Sequence, residues 1–211
     1  MPDLHFDDPS ERADLGAFVA RAVRLDQQAV VRLRGREGGL VDAWVATPFD
    51  VLATRTARGV VDPSDMTVSG NELLAALAVV RGDHLDPGPS RDMLWRSALP
   101  PTKHWQLVDM LPAAMVSELA DKGLAVAKDN VGPQGTPPAS LLDQAVLTVT
   151  GDGLEIKVPL RCLFALSGMG FLADNGADEV IRVTATDSWM RLDARYGAVV
   201  RRRHALLPLL V

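Results

Sequence analysis

The side chains best suited to chemistry in this chain are its 4 histidines, and one of them lies among carboxylates. Asp83, His84 and Asp86 place an imidazole between two acids, which could act as acid–base groups or bind a hard metal ion. The segment lies in a loop between prolines, where polar residues cap turns for local reasons, so we favour a structural role. An alternative is a small-molecule enzyme or ligand-binding site in a cleft between two halves of the protein, formed by Asp83, His84, Asp86, His104 and Trp105. It requires His84 and His104 to converge.

Other catalytic signals are weak. Cys162 is the only cysteine and lies in the most apolar segment of the chain, where a buried thiol is inert. Ser167-Gly168-Met169-Gly170-Phe171 contains part of a dinucleotide-binding pattern but follows a helix, whereas a phosphate-binding loop follows a strand. It is therefore interpreted as a helix end. We expect no catalytic residue, no cofactor and no metal ligand.

Arginines provide a third candidate site. Arg32, Arg34 and Arg36 alternate along one strand and so share one face of it. Arg201, Arg202 and Arg203 end the last strand, and the two groups would merge if their strands shared a sheet. We favour a solvated sheet face, with anion or nucleic-acid binding as the alternative.

Composition sets the class of protein. The chain has 211 residues, is 47% hydrophobic and 23% charged, and carries a net charge of −5. These values indicate a folded globular protein and disfavour nucleic acid as a partner, because nonspecific binding to phosphates needs concentrated positive charge. An acidic amino terminus without an apolar run, and no long apolar stretch, predict a cytoplasmic protein with no signal peptide and no membrane contact.

Two runs of short alternating strands, each containing a tryptophan, dominate the secondary-structure pattern. The first covers residues 30–34, 41–45 and 51–55 around Trp44, and the second covers 180–184, 189–192 and 198–202 around Trp189. Both predict three-stranded antiparallel meanders in which the tryptophans pack. Between them, residues 146–150 and 154–158 predict a hairpin with a tight turn at Gly151-Asp152-Gly153.

About four helices accompany the meanders. Asp8 and Pro9 begin the first, and the capping box Ser69 to Glu72 begins the second. A third is expected over 109–122, ending at Gly123, and an apolar fourth begins at Pro159.

The predicted fold is therefore α+β, with an N-terminal half (1–82), a connecting segment (83–108) and a C-terminal half (109–211) that share one core or stand apart. An internal duplication is one explanation of the paired meanders. However, the strand–helix unit follows the meander in the first half and precedes it in the second. The apolar tail 205–211 is expected to dock on this chain or on a partner.

Residues 158–171 and 189–203 carry a resemblance. They resemble proteins of about this length from an uncharacterised actinobacterial family. The resemblance implies no activity and no site residues.

These observations favour a non-enzymatic cytoplasmic binding or regulatory protein. Its expected partner is an unidentified protein or small molecule, and a homodimer is a candidate assembly.

Overall fold

The computed structural model describes residues 1–79, 82–130, 137–172 and 178–203. Within these ranges the chain is a mixed α/β protein with five α-helices and mostly antiparallel sheet, so the predicted α+β class is confirmed. It divides into unit 1 (Met1–Ala98 with Gly168–Gly170) and unit 2 (Leu99–Ser167 with Phe171–Val211). None of the helices in the described ranges has the length and apolar character needed to cross a membrane.

Unit 1 is built on the first meander. Its elements in chain order are β1 (Asp3–Phe6), α1 (Pro9–Leu25), β2 (Val30–Arg36), β3 (Leu40–Thr47), β4 (Val51–Asp62), β5 (Asp65–Ser69), α2 (Gly70–Val79) and β6 (His84–Leu85), followed by a 3-10 helix (Asp92–Leu94). The meander β2-β3-β4 forms as predicted, and β5 pairs with β2. β1 pairs with both β4 and β6.

Helix α1 begins where its sequence predicts. The Asp8 side chain accepts a hydrogen bond from the backbone N–H of Ser10 (2.7 Å), with Pro9 in the first turn. This contact lowers the pKa of Asp8. The apolar stripe of the helix is buried, with Leu15 and Val19 at 0% exposure, so α1 contributes one face of the core of unit 1.

Unit 2 is built on the second meander. Its elements in chain order are β7 (Gln106–Pro112), α3 (Ala113–Asp129), α4 (Ala139–Leu142), β8 (Ala145–Gly151), β9 (Leu154–Pro159), α5 (Leu160–Gly168), β10 (Val180–Ala185), β11 (Trp189–Ala194) and β12 (Gly197–Arg202). The meander β10-β11-β12 and the hairpin β8-β9 form as predicted. Asp152 and Gly153 have φ of 51° and 77°, which a tight two-residue hairpin turn requires.

The apolar character of α5 fits its position. Every residue from Leu160 to Leu166 is buried, including Cys162 at 1% exposure, as the sequence predicts. Trp44 and Trp189 are also buried in their strands, at 6% and 7% exposure. The tryptophans of the meanders therefore pack in cores.

Two sequence-based predictions of secondary structure were wrong. Residues 106–112 form β7, paired with β10, and the third helix begins after Pro112 and continues past Gly123 to Asp129. Gly123 lies within the helix, and a Cβ there would clash with the Leu160 side chain, so the glycine permits close packing of α3 against Leu160 of α5. The acidic amino terminus, for which no element was predicted, forms β1.

Comparison of the two units explains the different order of their strand–helix pairs. Each unit has a meander whose first strand pairs with a strand leading into a helix: β5 before α2, and β7 before α3. Each unit also has a second strand that leads into a helix. In unit 1 this strand is β1, which pairs with β6, the strand after α2; in unit 2 it is β9, which pairs with β8, the strand after α3 and α4. Apart from α4 in unit 2 and the 3-10 helix in unit 1, the described elements of the two units therefore correspond in circularly permuted order, and β1 differs in also pairing with β4.

The predicted docking of the tail 205–211 concerns residues outside the described ranges.

Candidate functional site

The arginines of β2 share one face of the sheet of unit 1, as their alternation predicts. Val31 and Leu33 point inward and are fully buried, while Arg34 and Arg36 keep 44% and 45% of their side chains exposed. The register adds an arginine that the sequence analysis missed. Arg36 lies opposite Leu40, and Leu40 lies opposite Arg58, which is exposed on β4.

Carboxylates compensate part of this charge. Asp65 on β5 accepts two hydrogen bonds from Arg32, from Nε (2.8 Å) and Nη2 (2.9 Å), and lies 3.9 Å from Nε of Arg34. Asp42 on β3 lies 3.4 Å from Nη1 of Arg36 and accepts a hydrogen bond from the hydroxyl of Thr56 (2.6 Å). The hydrogen bonds from Arg32 to Asp65 raise the pKa of Arg32, because they stabilise the charged guanidinium.

Residues 90–95 contact the same sheet at β5. Both backbone groups of Thr67 are used: its N–H donates to Oδ1 of Asp92 and its carbonyl accepts from the N–H of Arg91, each at 2.6 Å. The Arg32 guanidinium lies 5.8 Å from the centre of the Trp95 ring, a cation–π distance. Asp92 has a lowered pKa, first because Ser90 donates a hydrogen bond to it. Arg32 is therefore the most enclosed arginine of the face, and Arg34, Arg36 and Arg58 are the accessible ones.

The second arginine group lies in unit 2, and its members have separate environments. Arg201 is 3.4 Å from Asp143, which also binds the buried Arg161 at 2.8 Å. The guanidinium of Arg202 lies 4.6 Å from the centre of the Trp189 ring. Arg203 donates to two backbone carbonyls, those of Thr186 (3.0 Å) and Glu155 (3.1 Å). These contacts tie strand ends to their surroundings, and the merging of the two arginine groups stays a prediction.

The five residues of the predicted cleft divide between the units. His84 lies on β6, where its ring stacks on that of His5. Asp86 accepts a hydrogen bond from the N–H of Gly88 (2.9 Å), the local turn-capping role favoured above. His104 and Trp105 belong to unit 2, where the indole N–H of Trp105 donates to the Pro101 carbonyl (2.9 Å). The convergence of His84 with His104 stays a prediction.

Sequence reasoning missed the partners more often than the arginines themselves. Asp65 is distant from Arg32 in the chain, and Asp42 lies across a hairpin from Arg36. Only the strand register brings each carboxylate close to its arginine. A period-2 count across β2, β3 and β4 would have placed Arg58 on the same face as Arg36, with Leu40 between them. His5 could be found only by recognising that the acidic amino terminus forms a strand.

Two family models match this chain. Residues 1–97 match "Domain of unknown function (DUF8010)" and residues 100–206 match "Domain of unknown function (DUF8185)". No curated protein matches. The predicted resemblance to an uncharacterised family is thus confirmed.

Solved structures similar to this chain are DNA polymerase sliding clamps. The clamp from Bacillus subtilis matches with a TM-score of 0.61, 11% identity and coverage of 97% of this chain and 65% of its own. A putative DNA polymerase III beta subunit from Eubacterium rectale matches with a TM-score of 0.60, 10% identity and coverage of 97% of this chain and 65% of its own. A clamp from Caulobacter crescentus matches with a TM-score of 0.60, 12% identity and coverage of 98% of this chain and 66% of its own. This chain spans less than two thirds of each, and at these identities the likeness is one of fold.

The likeness corrects two expectations. The expectation of a non-enzymatic cytoplasmic binding or regulatory protein, with a small-molecule enzyme or ligand-binding cleft as its first alternative, is wrong, because the chain has a DNA-clamp-like fold. The expectation that nucleic acid is disfavoured as a partner is also wrong. Its physical basis was the net charge of −5, which belongs to the whole chain, whereas phosphate binding depends on local charge.

Proposed function

This chain belongs to the DUF8185 family, and we propose that it is a clamp-like protein that associates with double-stranded DNA. The observation that carries the proposal is the likeness to DNA polymerase sliding clamps over 97% of the chain, with TM-scores of 0.60 and 0.61. The likeness spans both units, so it does not arise from one common motif.

The proposed contact with DNA is the arginine face of unit 1, defined as Arg32, Arg34, Arg36 and Arg58. Asp65 and Asp92 interact with Arg32, and Asp42 pairs with Arg36. The exposed guanidinium groups of the face are those of Arg34, Arg36 and Arg58. Guanidinium groups spaced along neighbouring strands suit a phosphate backbone and carry no base specificity.

We also propose that the two units arose by duplication. The shared set of strands and helices, with matching pairings, supports this origin. A circular permutation accounts for the strand–helix unit that follows the meander in one unit and precedes it in the other. In this proposal residues 83–108 connect the two duplicated halves, 1–82 and 109–211.

A second candidate function is protein binding by unit 2. Val180 and Arg182 point outward from β10, and Arg182 lies opposite Met110 of β7. Val180 and Met110 are 49% and 51% exposed, and Leu107 nearby on β7 is 45% exposed. Apolar side chains around one arginine suit a partner segment that carries apolar residues and a carboxylate.

Fluorescence anisotropy with a labelled duplex tests the first function. The double variant Arg34→Gln, Arg58→Gln should bind more weakly than the wild type. Arg195→Gln is the matched control, because Arg195 is an exposed arginine paired with Glu179 in unit 2. Absence of duplex binding at low salt by the wild type would reject DNA association. Loss of a captured protein in Met110→Ser, with duplex binding unchanged, would support the second function.

A further inference from the structure

The histidines of β1 and β6 form a pair that the proposed function does not use. His5 and His84 occupy directly opposite positions of an antiparallel strand pair. Their rings are stacked, with centroids 4.3 Å apart and planes inclined by 25°. His84 has 66% of its side chain exposed and His5 32%, so both rings are open to solvent.

The hydrogen bonds of the pair fix which ring nitrogens are free. Nδ1 of His84 lies 2.7 Å from Oδ2 of Asp3, and Nδ1 of His5 lies 3.2 Å from the carbonyl oxygen of Asp83. A carboxylate and a carbonyl only accept hydrogen bonds, so Nδ1 is the protonated nitrogen in both rings. In the neutral imidazoles, Nε2 therefore carries the lone pair. Ligating histidines have the same arrangement, with the remote N–H held by a carboxylate or a carbonyl.

From this geometry we propose that His5 and His84 bind one divalent transition-metal ion through their Nε2 atoms. Two imidazoles favour Zn²⁺, Ni²⁺ or Cu²⁺ over Ca²⁺ and Mg²⁺, which prefer oxygen ligands. Asp7 is a third ligand within reach, because its Oδ1 lies 3.9 Å from Nε2 of His5. Water completes the coordination on the exposed side.

Binding requires a small movement of one side chain. Among the described residues, no group of three or more His, Cys, Asp and Glu side chains is already arranged around a metal position. The rings are stacked, so one imidazole must turn about its Cα–Cβ bond to share an ion with the other. His5 is the ring that turns, because its Nδ1 contact of 3.2 Å is longer than the 2.7 Å contact between Asp3 and His84.

An ion bound by both histidines would stabilise the pairing of β6 with β1. The strand β6 has two residues, His84 and Leu85, and its register with β1 covers only these two positions. A metal that bridges opposite strands would therefore stabilise unit 1 where the strand pairing is shortest. This inference is independent of the proposed binding of DNA.

Titration of the untagged full-length chain with ZnCl₂, NiCl₂ and CuCl₂ tests the proposal. The wild type should bind one ion, and His5→Gln and His84→Gln should each weaken that binding by at least about tenfold. His104→Gln is the matched control and should bind like the wild type. The Cu²⁺ spectrum by electron paramagnetic resonance should show two nitrogen ligands, reduced to one in either variant.

Asp3→Asn is a second test that keeps both imidazoles. It removes the charged acceptor of His84 Nδ1 and should weaken binding by about tenfold. Absence of binding by the folded wild type, or binding unchanged in His5→Gln or His84→Gln, would overturn the proposal. Circular dichroism of each variant shows whether a loss of binding accompanies a loss of fold.

Discussion

Arg32 on β2 and Asp65 on β5 are diagonal neighbours, since Asp65 lies opposite Arg34, and they are joined by two parallel hydrogen bonds of 2.8 and 2.9 Å. The pair makes Arg32 structural, and the same carboxylate lies 3.9 Å from Arg34. Asp65 therefore limits the charge that the arginine face of unit 1 presents to a phosphate backbone.

Asp65→Asn should lower the stability of the protein and raise its affinity for DNA. The variant loses a two-point charged contact at a partly exposed site, which costs about 1 kcal/mol of unfolding free energy. It also releases the charge of Arg32 and Arg34, so duplex affinity should rise a few-fold. Chemical denaturation and anisotropy measure the two effects. A fall in both stability and affinity would show that the face does not meet DNA.

Gly123→Ala in α3 should be destabilising, although alanine has the higher helix propensity. The new Cβ would clash with the side chain of the buried Leu160, so this side chain or the helix packing around it must shift. The expected cost is about 1–3 kcal/mol, typical of overpacking. Thermal unfolding measures it.

Gly16→Ala in α1 is the matched control for that prediction. A Cβ at Gly16 meets nothing within 4 Å, so the substitution should stabilise the protein by up to about 1 kcal/mol. Equal effects of the two substitutions would contradict the packing described for Gly123.

Asp143→Asn should destabilise unit 2. Asp143 serves two arginines, and Arg161 is only 8% exposed, so its charge loses a partner inside the protein. Because Asp143 is itself about half exposed, we expect about 1–2 kcal/mol, less than for a fully buried pair. The control is Asp152→Asn in the β8-β9 turn, where asparagine tolerates the positive φ. Urea denaturation that leaves Asp143→Asn and Asp152→Asn equally stable would refute this role.

The contact of Asp92 with β5 should be sensitive to acid. Its pKa is lowered from 3.8 in the folded protein, so its contribution is complete above that value. The contribution is lost as pH falls through the lower, folded-state pKa, because protonation is then more favourable in the unfolded chain. Unfolding midpoints measured from about pH 5 to about pH 2 should fall less steeply in Asp92→Asn than in the wild type. Parallel curves for the two proteins would exclude this linkage.

The sequence predicts those parts of the fold that depend on local pattern. Alternating residues give both meanders, and Asp8 with Pro9 gives the start of α1, because capping and period-2 burial involve neighbours in the chain. Residues 106–112 could not be assigned in this way. Val108 and Leu111 have the spacing of a helix, and pairing with β10 makes the segment a strand.

The candidate site was predictable only in part. Alternation places Arg32, Arg34 and Arg36 on one face, but their partners Asp42 and Asp65 come from register. The stacking of His5 on His84 joins positions 79 residues apart in the chain, and it depends on β1, which the sequence analysis did not predict. Contacts set by the pairing of distant strands cannot be read from local pattern.

The salt dependence of duplex binding tests the proposed association with DNA most directly. If Arg34, Arg36 and Arg58 each meet a phosphate, a plot of log affinity against log salt should have a slope of about −2.7. In Arg34→Gln, Arg58→Gln the slope should fall to about −0.9. Duplex binding that is absent at low salt, or a slope that the double variant leaves unchanged, would contradict a clamp-like protein that meets DNA through this face.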